Sequence, residues 1–172
     1  METLSHPFPP VYDETSRILI LGSFPSVKSR EAAFFYGHPQ NRFWRVLAAV
    51  FGESVPETVA DKTALLLRRR VALWVVAAAC EVAGSSDASI RAVVPNDLSP
   101  IFRAAAIRAV FCNGGTAYRY YEKFNSNNSS NRGPAAEAAA VGVKLPSTSP
   151  ANARWTLPML VEAWGNAILP YL

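Results

Sequence analysis

The sequence predicts an α/β fold, a three-layer α/β/α arrangement around a central, mainly parallel four-stranded sheet. Short apolar runs recur without clean alternation, as strands covered on both faces do. Segments of helical periodicity separate them, and such alternation is the signature of parallel sheets. With 172 residues, 50% of them hydrophobic, the chain is long enough for one domain, spanning 1–172, with a substantial core.

The first predicted strand is "RILILG", Arg17 to Gly22. A long connection follows, Ser23 to Gln40, before Asn41 caps a helix through "RFWRVLAAVF" that stops at Gly52. Thr58 to Arg69 has helical spacing and leads into strand two, "VALWVV", Val71 to Val76. Asp97 or Ser99 can open a helix through "IFRAAAIR", ahead of strand three, "IRAVFCN", Ile107 to Asn113. "GGTAYRYYEKF" reads as a helix opened by two glycines, and "VGVKLP", Val141 to Pro146, as strand four. The last helix runs from Thr156, its N-cap, to about Leu169, with Pro158 in the first turn. The polar stretch Asn125 to Pro134 reads as a surface loop.

Composition narrows the function. The net charge of +4 is compatible with a polyanionic partner without demonstrating one. Two isolated cysteines, Cys80 and Cys112, make neither a disulfide framework nor a cysteine-built metal site, and they suit a reducing cytosol. The N-terminus lacks a charged start before an apolar run, and "VALWVVAAAC" is about half the length needed to cross a bilayer. A soluble, cytoplasmic protein is expected.

In an open parallel sheet, ligands bind beyond the carboxyl ends of the strands. Four segments should therefore converge: Ser23 to Gln40, Cys80 to Asp87, Asn113 to Thr116 and Ser147 to Asn152. Phosphate-binding loops, a GxGxxG turn and a nucleophile elbow are all missing from them. With only His6 and His38, a multi-histidine metal site is implausible, and a serine triad would have to rest on His38.

What remains is a cleft of aromatics, amides and backbone donors, which suits a planar uncharged ring. Tyr36 precedes Gly37, where the chain can turn tightly, and is the best stacking platform; Phe43 and Trp44 lie on the helix and read as buried anchors. Asn41 is either a helix cap or a working amide. Gly114, Gly115 and Thr116 open a helix whose amides suit a phosphate, although tight strand-to-helix packing explains the glycines equally well. The "RRR" run, Arg68 to Arg70, should lie at the opposite end of the sheet as solvated surface.

The run "YGHPQNRFWRVL" resembles the segment after the first motif of mismatch-specific uracil-DNA glycosylases, and "TLPMLVEAW" resembles their final helix. "LGSFPS" and "LPSTSPANA" occupy the places of the two signature motifs of the uracil-DNA glycosylase superfamily. With "CEVAGSSDASI" and "FCNGGTA", they are most similar to the hypoxanthine-DNA, or DNA-deoxyinosine, glycosylase branch. Three departures stand out. Phe24 and Leu145 replace asparagines of motifs one and two in the mismatch-specific enzymes, and Val75 stands where the deoxyinosine branch is expected to carry aspartate.

The resemblance implies a DNA repair glycosylase that flips a deaminated base, preferably hypoxanthine, out of DNA and hydrolyses its N-glycosidic bond, without metal or organic cofactor. Asn41 takes the catalytic place vacated at Phe24, and Tyr36 stacks on the base. The backbone of Ser23 and Phe24, with Asn113, reads the base edge. Ser147, Thr148, Ser149, Pro150, Ala151 and Asn152 form the wedge loop that fills the gap and contacts DNA, together with Ser26, Gly114 and Thr116. Lys28, Arg30, Arg42, Lys144 and Arg154 can add a basic rim. No lysine is placed for a Schiff base, so strand cleavage is not expected. The expected protein is a monomer acting on DNA. Its rivals are a uracil-preferring enzyme of the same class, an inactive DNA-binding homologue and, more weakly, a hydrolase of free nucleosides.

Overall fold

A computed structural model describes residues 2–5, 8–25, 29, 34–82, 91–124 and 142–172. The strands are β1 (Glu2–Ser5), β2 (Ile18–Gly22), β3 (Val71–Val75), β4 (Ala77–Val82), β5 (Arg91–Pro95), β6 (Ala109–Asn113) and β7 (Gly142–Leu145). The helices are α1 (Phe43–Phe51), α2 (Val59–Arg68), α3 (Ser99–Ala104), α4 (Gly115–Phe124) and α5 (Leu157–Ile168), and a single 3₁₀ turn, Leu169–Tyr171, follows α5.

The predicted four-stranded sheet is present, in the order β3-β2-β6-β7, and every neighbouring pair is parallel. Along β2, Ile18 and Ile20 join one core cluster while Leu19 and Leu21 join another. The same split runs along β6, with Phe111 on one side and Val110 and Cys112 on the other. Both sheet faces are therefore covered, which is why these strands read as unbroken apolar runs rather than alternating ones. Phe43, Trp44, Leu65, Leu66, Leu160 and Trp164 from α1, α2 and α5 cover the first face. Ile101 and Phe102 of α3, with Ala117 and Tyr121 of α4, cover the second. Each fully buried aliphatic side chain in such a sandwich stabilises by about 1.5–3 kcal/mol relative to exposure.

Helix boundaries follow local chemistry. Thr58 and Thr156 cap α2 and α5 through side chains that accept from the N–H groups of Asp61 and Met159. Gly52 closes α1 in the left-handed region, at φ 66°. The helix expected through "IFRAAAIR" is shorter than its pattern, because α3 ends at Ala104 and Ala105 is already extended.

The sequence did not reveal a second sheet, antiparallel and ordered β1-β4-β5. β4 leaves β3 after one intervening residue, so part of the segment expected to reach the cleft after strand two is a strand instead. Leu4 opposes Cys80 there. The alanine-rich stretch has weak strand propensity and hid the element. The rest of that segment, 83–87, and the loop 125–134 lie outside the described residues. Among the described residues, no helix is long and apolar enough to cross a membrane.

Candidate active site

Asn113 is the last residue of β6, Thr148 follows β7 by three residues, and Asn41 lies two residues before α1. The parallel sheet brings their side chains together at its carboxyl end. The Asn113 Nδ2 group donates to Thr148 Oγ1 (3.0 Å), and the Thr148 N–H donates back to Asn113 Oδ1 (3.1 Å). Thr148 Oγ1 in turn donates to Asn41 Oδ1 (2.9 Å), which also accepts the Phe43 N–H (2.9 Å). The N-cap of α1 is Arg42, not Asn41 as expected; Asn41 still accepts the N–H of the first helical residue, while its side chain is tied to the loop after β7. Thr148, expected on the DNA-contacting surface of the wedge loop, is instead fully buried, and its side chain is engaged by Asn113 and Asn41.

Tyr36 packs its ring on Phe43, with centroids 4.0 Å apart and planes 22° from parallel. Phe43 is itself fully buried and meets Trp164 edge-on. Tyr36, rather than Gly37, adopts the left-handed backbone, at φ 54°. A non-glycine residue there costs roughly 1–2 kcal/mol, and such strain persists where surrounding contacts over-determine it. Those contacts are visible. The Tyr36 hydroxyl lies so close to Gly22 that a Cβ there would sit 2.9 Å from it. Trp44 anchors the same segment by donating from Nε1 to the Phe35 carbonyl (3.1 Å).

Arg42 corrects one expectation. Its guanidinium does not join a basic rim but turns inward beneath the wedge loop, donating to the carbonyls of Ser149 (2.9 Å), Asn152 (3.1 Å) and Trp155. The Arg42 N–H adds a bond to the Thr148 carbonyl (3.1 Å). Nothing in the local sequence announces this, since the carbonyls it satisfies are more than 100 residues away in the chain.

The loop is also tied to itself. The Ser149 N–H donates to Ser147 Oγ (3.1 Å), the Ala151 N–H to Ser149 Oγ (3.2 Å) and the Asn152 N–H to the Ser149 carbonyl (3.0 Å). With the Thr148 amide held by Asn113, these backbone donors already have acceptors, so the expected phosphate contacts fall to side chains and other amides. Pro150 and Ala151 stand exposed at the tip.

Beside the loop lies a cavity of about 620 Å³, lined by residues including Gly114, Gly115, Lys144, Ser147 and Asn152. Gly114 has φ 92°, and a Cβ there would lie 3.1 Å from that of Ser147, so both its backbone and its packing favour glycine. Lys144 reaches the start of α4, its Nζ 3.7 Å from where a Gly115 Cβ would be. Thr116 sits half-buried in the first turn. Neither Asn41 nor Tyr36 lines this cavity. Its glycines, lysine and serine suit an anionic backbone better than a neutral ring.

The chain matches the family model described as Uracil DNA glycosylase superfamily over residues 9–167. It belongs to the uracil DNA glycosylase superfamily. A protein of Methanosarcina acetivorans named hypoxanthine DNA glycosylase is 34% identical over 150 residues, covering 87% of this chain and 89% of that one. One of the same name from Methanosarcina barkeri is 36% identical over 115 residues, 66% of this chain and 73% of that protein. A solution NMR structure of a candidate uracil DNA glycosylase from Methanosarcina acetivorans superposes with a TM-score of 0.76 at 30% identity, covering 96% of both chains.

Within this superfamily member, the departures have a structural setting. Val75 and Leu145 are buried core residues on β3 and β7, and Val75 packs toward Gly22. Phe24 and Ser23 are half-buried just after β2, and the Ser23 carbonyl accepts from the Ala77 N–H (3.0 Å). Ser26, Lys28 and Arg30 lie outside the described residues. Lys144 and Arg154 are exposed, as a basic rim requires. His38 accepts the Gln40 N–H on Nδ1 (3.0 Å), a turn contact rather than a triad. Burial pushes the Cys112 thiol up to about 12, which leaves it no nucleophile at neutral pH. Among the described residues, no group of three or more histidine, cysteine, aspartate or glutamate side chains can hold a metal ion.

Proposed function

We propose that the chain is a monofunctional DNA glycosylase, working as a cytoplasmic monomer, that removes a deaminated base from DNA with hypoxanthine preferred over uracil. One observation carries the reading: an asparagine amide, Asn41, is fixed at the mouth of the sheet by Thr148 and Phe43 in a superfamily member similar to proteins named hypoxanthine DNA glycosylase.

Hydrolysis of an N-glycosidic bond passes through an oxocarbenium-like transition state while negative charge develops on the departing base. Catalysis then requires a positioned water and hydrogen bonds aimed at that charge. Asn41 is the catalytic amide. The flipped base stacks on the face of Tyr36 opposite Phe43, in line with an existing aromatic stack. Ser23 and Phe24 border the base, and Asn113 backs the site through Thr148. Flipping costs a few kcal/mol, least at a mispair, and the exposed Pro150–Ala151 tip is shaped to fill the vacated place. The cavity lined by Gly114, Gly115 and Lys144, with Ser147, Ser149 and Asn152 on the loop, receives the phosphate backbone, and Thr116 in the first turn of α4 joins this set. Ser26 joins this set from the first motif.

The test uses duplex oligonucleotides carrying one inosine, uracil or xanthine, followed by alkaline cleavage of abasic sites. More product from inosine than from uracil supports the proposal. Product chiefly from uracil moves the enzyme to its neighbouring substrate class. Binding with no product from any substrate identifies an inactive DNA-binding homologue, the reading favoured by the three departures Phe24, Leu145 and Val75.

A further inference from the structure

The geometry points to Thr148 as a positioning residue that holds the Asn41 amide in the polarity set by the Phe43 N–H, so that Asn41 meets the reaction as a hydrogen-bond donor. The inference rests on the catalytic place given to Asn41 above. Two backbone amides decide the polarity of the whole network, because an N–H can only donate. The Phe43 N–H lies 2.9 Å from one terminal atom of Asn41, so that atom is the oxygen. The Thr148 N–H lies 3.1 Å from one terminal atom of Asn113, which is likewise the oxygen.

The other Asn113 atom facing Thr148 is therefore Nδ2, donating to Oγ1 over 3.0 Å. A threonine hydroxyl has one proton, and with Oγ1 already accepting, that proton goes to Asn41 Oδ1 at 2.9 Å. Asn41 Oδ1 then accepts twice. Among the described residues no acceptor holds Asn41 Nδ2, so the NH₂ is the group offered to a ligand. Turning the amide over would set its NH₂ against the Phe43 N–H, two donors with no acceptor between them. Phe43 is fully buried, so no water replaces the acceptor its N–H would lose.

A donor-only amide cannot draw a proton from water. It can hold the electron pair that leaves with the base. In the hydrolysis, the bond between C1′ and the base nitrogen breaks and its electron pair departs with the base. The water oxygen bonds to C1′, and the proton it sheds passes through solvent to the released base. Asn41 Nδ2 stabilises the leaving base, and Thr148 acts only through Asn41.

The experiment measures single-turnover cleavage of an inosine duplex, with DNA affinity measured separately, for T148V, T148S, N41A, N41D and the double variant N41A/T148V. T148V keeps the shape and the backbone bonds but removes the hydroxyl. Its rate is expected to fall about 10- to 100-fold with DNA affinity unchanged, the scale of a displaced catalytic group. T148S restores the hydroxyl and should recover most of the rate. The double variant should be no slower than N41A, because residues acting as one unit are not additive. N41D, an acceptor without the NH₂, should be as slow as N41A. A normal rate for T148V, an equal loss in T148S, an additive double variant or an active N41D each overturns the inference. If N41A itself keeps its rate, the catalytic reading of Asn41 fails first; if N41A is slow while T148V is normal, only this inference fails. Should T148V fail to fold, N41D decides the polarity alone.

Discussion

Before β3 a cluster of charged side chains lies at the surface; at the far end of the sheet three neutral side chains meet around the fully buried Thr148. At the first end Glu53 receives the guanidiniums of Arg68 and Arg69, whose side chains are 53% and 39% exposed. At the second, the side chains of Asn113, Thr148 and Asn41 hydrogen-bond to one another and to backbone N–H groups. Long charged side chains in water adjust to a lost partner and are screened by salt, so exposed pairs contribute little. A buried amide or hydroxyl has no such recourse, and removing one partner leaves the others unsatisfied. The same number of polar groups therefore has different consequences at the two ends: one tolerates imprecision, the other enforces a geometry.

Substitution at each end breaks or sharpens this contrast. Asn41→Ala should give the largest effect, lowering the single-turnover rate on inosine-containing DNA by about 10²- to 10³-fold, as loss of one positioned donor does. Near-normal turnover would reduce Asn41 to an acceptor for the start of α1. Arg42→Ala strands several carbonyls under the wedge loop and should destabilise by about 2–3 kcal/mol, read as a lowered urea midpoint. An unchanged midpoint would mean the loop holds itself. Gly22→Ala pushes a methyl group to within 2.9 Å of the Tyr36 hydroxyl and 3.3 Å of Val75 Cγ1. Because Phe43 blocks retreat of the ring, a loss of about 1–2 kcal/mol should appear on thermal melting.

Glu53→Gln should give the smallest effect, under about 1 kcal/mol and vanishing in high salt. The hydrogen bonds from Arg68 and Arg69 hold the Glu53 carboxyl below its usual range. Its contribution is therefore complete above the ordinary glutamate pKa and is lost as acidification passes the lowered native value. The wild type and Glu53→Gln should differ in stability at neutral pH and converge in strong acid. A gap that persists there would refute the charge origin.

The parallel sheet was legible because burial on both faces writes itself into β2, β3 and β6 as uninterrupted apolar runs. The antiparallel sheet was not: β4 continues almost directly from β3 in an alanine-rich stretch, and β1 lies at the chain's start. The cap at Thr156 and the stop at Gly52 were legible, since both are local devices. Asn41 and Tyr36 stood out through the HPQNRFW resemblance, although the left-handed turn fell on Tyr36 instead of Gly37. Thr148 looked like one more hydroxyl on a DNA-facing loop. Its burial arises from partners 35 and 107 residues away, and no nearby residue hints at them. Arg42 was misplaced for the same reason, because a sequence shows a charge but not the direction it turns.

None of the three linked side chains, Asn113, Thr148 and Asn41, gains or loses a proton in the range where proteins remain folded. The network is therefore blind to acidity, unlike a histidine- or carboxylate-driven site. Its contribution to base release should stay level across the neutral range, leaving the profile of rate against pH to be shaped by the DNA, the departing base and whatever titrates around them.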